Sequence, residues 1–203
     1  MTLPKNPHCA LICGRTNCGK TKFILDSLEN EYKNNFEKIV IICPTLSNNR
    51  TYRDRSWFWN DEDVIPCDLD LENITLNQAL SYYRKVFKGL YVLFIIDDCS
   101  ALQEIKYRRE TCELTKLAYS GRHDNHSCWL LTQKYNNVLK DFREQTQFVV
   151  LFYCKDKTSF DQCLNENDGV PVEEIANIKT HLKNVPYSKL IIKTDPPIWW
   201  KLL

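Results

Sequence analysis

Residues 14–21, with the sequence GRTNCGKT, restrict the possible folds of this chain more than any other segment. The segment matches the pattern G-x-x-x-x-G-K-[ST] at every fixed position. An apolar run, Ala10–Cys13, precedes it, and a helical pattern with Phe23, Ile24 and Leu28 on one face follows it. The chain is therefore predicted to begin with a strand, a phosphate-binding loop and a helix, which form the first unit of an α/β sheet protein.

The residue types in this loop predict how a nucleotide would be held. Two of the chain's five glycines lie here, where the backbone must pass close to phosphate and side chains would block the approach. Backbone amides and the helix dipole would hold the β-phosphate, Lys20 would neutralise the β and γ oxygens, and the Thr21 hydroxyl would ligate Mg²⁺. We interpret Cys18 as a small filling side chain. The predicted ATP-binding residues are Gly14, Arg15, Thr16, Asn17, Cys18, Gly19, Lys20 and Thr21.

Short runs rich in Val and Ile alternate with helical patterns along the chain. This alternation predicts an α/β fold, with a mostly parallel central sheet and helices on both faces. The predicted strands are Cys9–Cys13, Ile39–Cys43, Val92–Ile96, Cys128–Thr132, Phe148–Tyr153 and Leu190–Lys193. The predicted helices are Lys20–Tyr32, Leu76–Phe87, Glu104–Ser120, Val138–Gln145, Ser159–Asn165 and Val172–Lys183, with Gly121 as the stop after the third.

Two adjacent carboxylates follow one of the buried strands. The apolar run Leu90–Ile96 leads directly into Asp97 and Asp98, and ligands of open α/β sheets bind at the carboxyl ends of strands. Asp97 is predicted to hold Mg²⁺ through water, and Asp98 to act as the general base that polarises the attacking water. The alternative is a solvated acidic turn. A carboxylate directly after the metal ligand favours a P-loop ATP hydrolase of the additional-strand type over a simple GTPase or nucleotide kinase.

The additional strand would be Cys128–Thr132, inserted between the first strand and the acidic strand. Gln133 at its end could place an amide against the γ-phosphate or the attacking water; otherwise it is a surface residue that caps the strand. The turn Ser120–His123 precedes this strand and exposes Arg122. Such an arginine can stabilise transition-state charge in a neighbouring subunit, and the alternative is a solvated surface arginine.

Composition and charge exclude several classes of protein. With 203 residues, 43% of them hydrophobic, the chain is predicted to form a single domain, residues 1–203. Lys and Arg number 27 against 26 Asp and Glu, so there is no chain-wide basic field that would attract nucleic acid. The ten cysteines show no C-x-x-C spacing and no signal peptide is recognised, which favours buried thiols in a reducing intracellular compartment. The longest apolar run has seven residues, whereas a membrane span needs about 20, so no membrane association is expected.

Two regions have weaker patterns. Segment 44–73 is longer than an ordinary connection, so it is an elaborated or a functional loop. Within it, Arg50–Trp59 interleaves three arginines with four aromatic residues. This composition suits stacking and phosphate contacts or, alternatively, aromatic packing on the sheet edge with solvated arginines. In the C-terminal segment 170–203, the tail Pro196–Leu203 could pack on the core, cover a sheet edge, dock a neighbour or mark a truncation.

Four segments together resemble the FtsK–HerA superfamily of DNA-pumping ATPases. They are GRTNCGKT at Gly14–Thr21, LFIIDDCSA at Leu93–Ala101, SGRHDNHSCWLLTQKYN at Ser120–Asn136 and LKDFREQTQFVVLFYCKDKTSF at Leu139–Phe160. Within the superfamily, the chain resembles the poxvirus-type genome-packaging ATPases of large DNA viruses and of Maverick/Polinton elements. The third and fourth segments are most similar to the Maverick form. The phosphate loop alone is generic, and the Arg122 turn followed by the strand end at Gln133 makes the likeness specific.

This resemblance implies a Mg²⁺-dependent ATPase that assembles as a homo-oligomeric ring and packages double-stranded DNA into a viral or virus-like capsid. Its partners would be DNA and capsid proteins, and it would act in the host nucleus, at virus assembly sites or in the virion. The implied roles are phosphate binding for Lys20, metal ligation for Thr21 and Asp97, general base for Asp98, sensor for Gln133, and a finger acting on a neighbouring subunit for Arg122.

The chain departs from the family pattern in two ways. Asp98 stands where many relatives have Glu, so either the attacking water lies closer or the activity is modest. No added DNA-binding domain is recognised, so translocation would depend on pore loops of the ring, with weak DNA contacts summed over its subunits.

Two other functions remain open. A small-molecule kinase acting on a nucleoside or nucleotide would use the same phosphate loop, although no second nucleoside site is recognised. The other is a domesticated, non-catalytic ATP-binding scaffold, against which the intact Lys20, Thr21, Asp97 and Asp98 argue.

Overall fold

The computed structural model describes residues 7–69, 73–100, 102–106, 112–167 and 169–203. Its strands are β1 (Cys9–Cys13), β2 (Lys38–Cys43), β3 (Val64–Asp68), β4 (Val92–Ile96), β5 (His126–Thr132), β6 (Phe148–Phe152), β7 (Lys189–Lys193) and β8 (Trp199–Leu202). They form one sheet in the order β3-β2-β4-β5-β1-β6-β7-β8. Strands β1 to β6 are mutually parallel, whereas β7 and β8 pair antiparallel. The predicted α/β fold with a mostly parallel sheet is confirmed.

The position of β5 brings the predicted site elements to one edge of the sheet. β5 lies between β1 and β4, as predicted, and pairs Thr132 with Cys13 and Leu130 with Ile96. The carboxyl ends of neighbouring parallel strands lie next to one another. This places the loop after β1 beside Gln133 after β5, and Gln133 beside the acids after β4.

Helices cover both faces of the sheet. Side chains alternate along each strand, so that Leu11 and Ile12 of β1 enter separate hydrophobic cores on opposite faces. One core is covered by α4 (Leu76–Val86), α5 (Gln103–Lys106), α6 (Glu113–Ser120), α7 (Lys140–Glu144), α8 (Lys157–Glu166) and α9 (Val172–Asn184). The other is covered by α1 (Lys20–Ser27), α2 (Arg50–Arg53) and α3 (Ser56–Asn60).

Two predicted helices differ in the structure. The α-helix that begins at Lys20 ends at Ser27, and the chain continues through 28–32 as a π-helical turn. The predicted helix Glu104–Ser120 is not continuous, because Cys112 has an extended backbone with φ −84° and ψ 105°, and α6 begins after it. Residues 107–111 of that prediction lie outside the described part of the chain.

Gly121 ends α6 for a reason other than the predicted one. The helix does end at Ser120, but Gly121 keeps a right-handed φ of −54° and opens a 3₁₀ turn, and the left-handed residue is Asn125 with φ 62°. A Cβ at Gly121 would lie 3.1 Å from the carbonyl oxygen of His126. The space for a side chain at this position is therefore tight, and the backbone conformation does not itself favour glycine.

The sheet has two edge strands that the sequence patterns did not predict. Segment 44–73, predicted as an elaborated loop, contains α2, α3 and the parallel edge strand β3; residues 70–72 lie outside the described part. Pro66 occupies the middle of β3, which is tolerated because an edge strand has one unpaired side. The C-terminal tail forms the other edge as β8, with Trp199 and Trp200 packed against opposite cores. Two of the alternatives for this tail are observed together, because it covers a sheet edge and packs on the core.

The cysteines are mostly buried, as the composition predicted. All ten cysteines lie in the described part and are free thiols, and nine of them are buried, as expected of small apolar side chains. Across the described ranges, no helix combines the length and the apolar character needed to cross a membrane.

Candidate active site

The phosphate loop is held between its neighbouring strands. The backbone amide of Gly14 donates to the carbonyl of Thr132 at 3.1 Å, and that of Arg15 donates to the carbonyl of Tyr153 at 3.2 Å. Helix α1 then begins at Lys20 with no acidic residue in its first turn, so the positive end of its dipole is not offset locally. The loop is thus fixed at its base while its tip faces solvent.

The two loop glycines are required for different reasons. A Cβ at Gly14 would lie 2.6 Å from Cβ of Phe152 and 2.7 Å from Sγ of Cys18, so the space is already filled by the protein itself. Gly19 has φ 98°, which side chains rarely adopt, and a Cβ there would lie 3.1 Å from the Tyr187 ring. Cys18 is buried beneath the loop, as its interpretation as a filler required.

The Lys20 side chain folds across the mouth of the loop. Its ammonium donates to the carbonyl oxygens of Gly14 at 2.9 Å and Arg15 at 3.1 Å. These contacts hold a positive charge beside the loop amides, and a phosphate oxygen could accept from the same ammonium.

Asp97 is the most constrained carboxylate of the site. It is 4% exposed, and its Oδ2 accepts from Thr21 Oγ1 and from the Tyr52 hydroxyl, both at 2.8 Å. Its Oδ1 accepts from the backbone amide of Asp98 at 2.8 Å. Burial raises the pKa of Asp97, and the hydrogen bonds from Thr21 and Tyr52 and the nearby Lys20 charge oppose that rise. Burial also raises the pKa of Tyr52, so this phenol acts as a donor.

The pairing of Thr21 with Asp97 fits a magnesium site. A hydroxyl and a carboxylate are hard oxygen donors of the type that Mg²⁺ takes, usually with several waters and substrate phosphates. The structure brings these two oxygens within 2.8 Å of each other at the end of the phosphate loop. The donor set therefore suits Mg²⁺ bound together with a nucleotide.

Asp98 differs from Asp97 in exposure and in backbone conformation. It is exposed, has φ 55°, and its Oδ2 accepts from Thr45 Oγ1 at 2.9 Å. In the described chain, non-glycine residues with positive φ are Asn17, Asp98, Asn125 and Tyr187. All of these except Asn125 line the same cavity, and strained backbone of this kind concentrates at functional sites.

The cavity has a volume of about 960 Å³, a size in the range of ligand pockets. Its lining includes residues of the phosphate loop, both acids and Gln133, whose backbone amide donates to Ser100 Oγ at 3.3 Å. Phe23, Tyr187 and Lys189 also line it. The Lys189 ammonium lies 5.5 Å from the centre of the Phe23 ring, and burial lowers the pKa of Lys189.

The structure does not bring Arg122 to this cavity. Arg122 is exposed in the 3₁₀ turn that precedes β5, and the first residue of β5, His126, pairs with Val92 at the start of β4. The phosphate loop and the acids lie at the other ends of these strands. Within one chain, Arg122 therefore lies at the amino ends of β4 and β5, whereas the acids lie at the carboxyl ends of the parallel strands.

Sequence reasoning missed residues on the acid side of the cavity. Thr45, which contacts Asp98, and Tyr52, which contacts Asp97, both come from segment 44–73. Its aromatic stretch was noticed but interpreted as phosphate contact or as packing. Packing is the better description, because Tyr52 and Phe58 are fully buried. The alternative of solvated arginines does not describe Arg55, because its guanidinium pairs with the carboxylates of Asp26 in α1 and Glu29 in the turn that follows.

Comparison with solved structures supports the fold. The chain is similar to the genome packaging NTPase B204 of Sulfolobus turreted icosahedral virus 2 in complex with AMP, at 17% identity and TM-score 0.69, over 98% of each chain. It is similar to B204, the DNA-packaging ATPase of Sulfolobus turreted icosahedral virus, at 16% identity and TM-score 0.66, over 97% of each chain. The pCW3 conjugation coupling protein TcpA with ATPγS matches at 13% identity and TM-score 0.59, over 97% of this chain and 60% of TcpA. Among curated protein sequences, no significant match was found.

A match to a family model identifies the family of the chain, which the low identities to solved structures do not. The model described as poxvirus A32 protein matches residues 1–168. This range includes the phosphate loop, both acids, the inserted strand β5 and Gln133. Because the match covers most of the chain, the chain belongs to the poxvirus A32 protein family.

Proposed function

We propose that this chain is a Mg²⁺-dependent ATPase of the FtsK–HerA type that moves double-stranded DNA into a viral or virus-like capsid. Membership of the poxvirus A32 protein family supports the proposal. The observation that carries it is the contact between Thr21 Oγ1 of the phosphate loop and Asp97 Oδ2, at 2.8 Å. That contact joins a phosphate-binding element to an acidic strand in a cavity that Lys20 and Asp98 also line.

The residues of the phosphate loop, both acids and Gln133 suit ATP hydrolysis. The loop amides and the Lys20 ammonium would bind the β- and γ-phosphates. Thr21 and Asp97 would hold Mg²⁺, which supplies charge neutralisation on the phosphates. Asp98 would accept the proton of the attacking water, and we assign that proton to Oδ1 because Oδ2 accepts from Thr45. The Gln133 amide would orient this water.

Other residues that line the cavity suit the base and ribose. Tyr187 offers an exposed aromatic ring next to Gly19, and base-on-ring stacking tolerates different bases. Lys189 adds a donor to the same lining. The names of the similar B204 structures support a nucleotide ligand, since that NTPase is described in complex with AMP, AMPPCP and ATPγS.

The motor part of the proposal rests on the relatives and on Arg122. B204 is described as a DNA-packaging ATPase, which supports double-stranded DNA and capsid proteins as partners of this chain. Arg122 is exposed on the sheet edge opposite the acids, which supports a finger that acts on the nucleotide of a neighbouring subunit in a ring. We further propose that residues 1–203 form one ATPase domain and that the chain is related to the Maverick/Polinton form. It would act in a reducing compartment, in the host nucleus, at virus assembly sites or in the virion.

Turnover of ATP by Asp98→Asn tests the chemistry. We expect the release of phosphate to water to fall about a hundredfold or more, because the general base is lost, while ATP affinity is retained. Asp54→Asn is the matched control, since Asp54 is an exposed aspartate paired with Arg50 away from the cavity. Equal rates in the two variants would contradict the assignment, and transfer of phosphate to a nucleoside instead of water would favour the kinase.

Mixing variants tests the ring. Arg122→Ala is expected to bind ATP normally and to hydrolyse it at least about a hundredfold more slowly. Mixing it with Asp98→Asn should restore part of the rate, because some interfaces then combine an intact arginine with an intact base. Arg53→Ala, at an exposed arginine outside the cavity, is the control. No rescue in an oligomer confirmed by light scattering would exclude a finger that acts between subunits.

A further inference from the structure

We propose that Tyr52 is a positioning residue of the proposed ATPase reaction, whose hydroxyl holds the Asp97 carboxylate in the orientation that receives Mg²⁺. The inference rests on the proposed function and adds a residue from segment 44–73 to it. Tyr52 would not touch the nucleotide; it would act through Asp97.

The hydrogen bonds around Asp97 restrict its rotation from three directions. Thr21 comes from α1, Tyr52 from α2, and the Asp98 amide from the chain after β4. An ionised carboxylate has about four acceptor positions, and these donors use two on Oδ2 and one on Oδ1. The remaining acceptor position is therefore on Oδ1, and its direction is set by the other three bonds.

Tyr52 is itself held firmly. Its carbonyl oxygen accepts from Trp59 Nε1 at 3.2 Å, and its ring centre lies 5.2 Å from that of Phe58. The Asn49 side chain caps α2 by accepting from the Thr51 amide at 3.0 Å. The hydroxyl is thus held in place by neighbours of Tyr52 within segment 44–73, and support of this kind is what orients a metal ligand.

The segment that carries Tyr52 is also tied to the helix that follows the phosphate loop. Arg55 pairs with Asp26 at the end of α1 and with Glu29 just beyond it. These ion pairs connect the segment of Tyr52 to the helix that carries Thr21, so the two hydroxyls that donate to Asp97 Oδ2 come from elements in contact with each other. A phenylalanine at position 52 would fill nearly the same buried volume, so its effect would report the loss of one of these two hydroxyls.

Tyr52→Phe removes that hydroxyl and little else. The readout is the affinity for the non-hydrolysable analogue AMPPCP, measured with and without Mg²⁺ by calorimetry. We expect Tyr52→Phe to bind AMPPCP normally without Mg²⁺, and to need about tenfold more Mg²⁺ for half-maximal enhancement of binding. Tyr82→Phe is the control, because it removes the hydroxyl of an exposed tyrosine on α4 that does not line the cavity. Its Mg²⁺ requirement should stay within about twofold of the wild type.

A double-variant cycle separates positioning from packing. If Tyr52 acts through Asp97, Tyr52→Phe should have no further effect on Mg²⁺-dependent binding once Asp97→Asn is present. An equal loss in both backgrounds, or an unchanged Mg²⁺ requirement in Tyr52→Phe alone, would overturn the proposal. Metal-free AMPPCP binding reports whether each variant has folded. Because binding is measured, a wild-type chain that does not hydrolyse ATP would contradict the proposed function without deciding the role of Tyr52.

Discussion

The phosphate side and the acid side of the cavity are built in different ways. The phosphate side is one continuous stretch, residues 14–21, whose backbone is bonded to the ends of β5 and to the chain after β6. The acid side is assembled from separate parts of the chain, with donors from Thr21 and Tyr52 on Asp97, and from Thr45 on Asp98. Damage to the first side should therefore abolish nucleotide binding, whereas damage to the second should lower turnover or raise the Mg²⁺ requirement while metal-free nucleotide binding persists.

The largest effect is expected on the phosphate side, from Lys20→Ala. Loss of the ammonium at the loop mouth should lower ATP affinity and turnover about a hundredfold or more, because the carbonyls of Gly14 and Arg15 hold this charge beside the loop amides. Lys140→Ala is the control, since this lysine is exposed and paired with Glu144 far along the chain. Binding of a fluorescent ATP analogue measures both variants. Similar affinities would mean that the loop does not bind phosphate through Lys20, and the contrast between the two sides would fail.

A smaller effect is expected from Tyr187→Ala, at the residue proposed to stack on the nucleotide base. Loss of the ring should raise the KM for ATP about tenfold with little change in kcat, since base stacking contributes to binding and not to the reaction. Tyr82→Ala is matched to it, because Tyr82 is a similarly exposed tyrosine on α4, outside the cavity. A fall in kcat without a change in KM would assign Tyr187 to the acid side instead.

The smallest effect is expected on the acid side, from Thr45→Val. The variant removes the hydroxyl that donates to Asp98 Oδ2, and an exposed hydrogen bond of this kind contributes modestly. We expect kcat to fall about threefold with unchanged ATP affinity, and Thr45→Ser, which keeps the hydroxyl, to recover the wild-type rate. Steady-state kinetics measure the split. Lower affinity in Thr45→Val would show that the two sides are not separable.

The parts of the fold that could be predicted are those set by local pattern. The strand, loop and helix around 14–21 follow from one motif, and the place of β5 follows from the acidic strand and its neighbour. Edge strand β3 could not be predicted, because Pro66 lies within it and proline normally argues against a strand. The tail strand β8 has four residues, which is too few for a clear alternation.

The residues of the candidate site also divide into those that the sequence could identify and those that it could not. The loop and both acids were identified by residue type and spacing, and the structure gathers them with Gln133 around one cavity; their roles stay predictions. Tyr52 could not be identified, because a buried tyrosine in a long segment looks like core until its partner is known. The steric need for glycine at position 14 could not be predicted either, since Phe152, which a Cβ there would meet, is 138 positions further along the chain.

The most direct test of the proposed motor is ATP hydrolysis with and without long duplex DNA, on protein whose oligomeric state is measured in the same buffer by light scattering. We expect Mg²⁺-dependent turnover that rises both with assembly and with added DNA. Turnover that is indifferent to DNA and to oligomeric state would contradict a DNA-packaging motor and would leave a nucleotide-binding domain with another task.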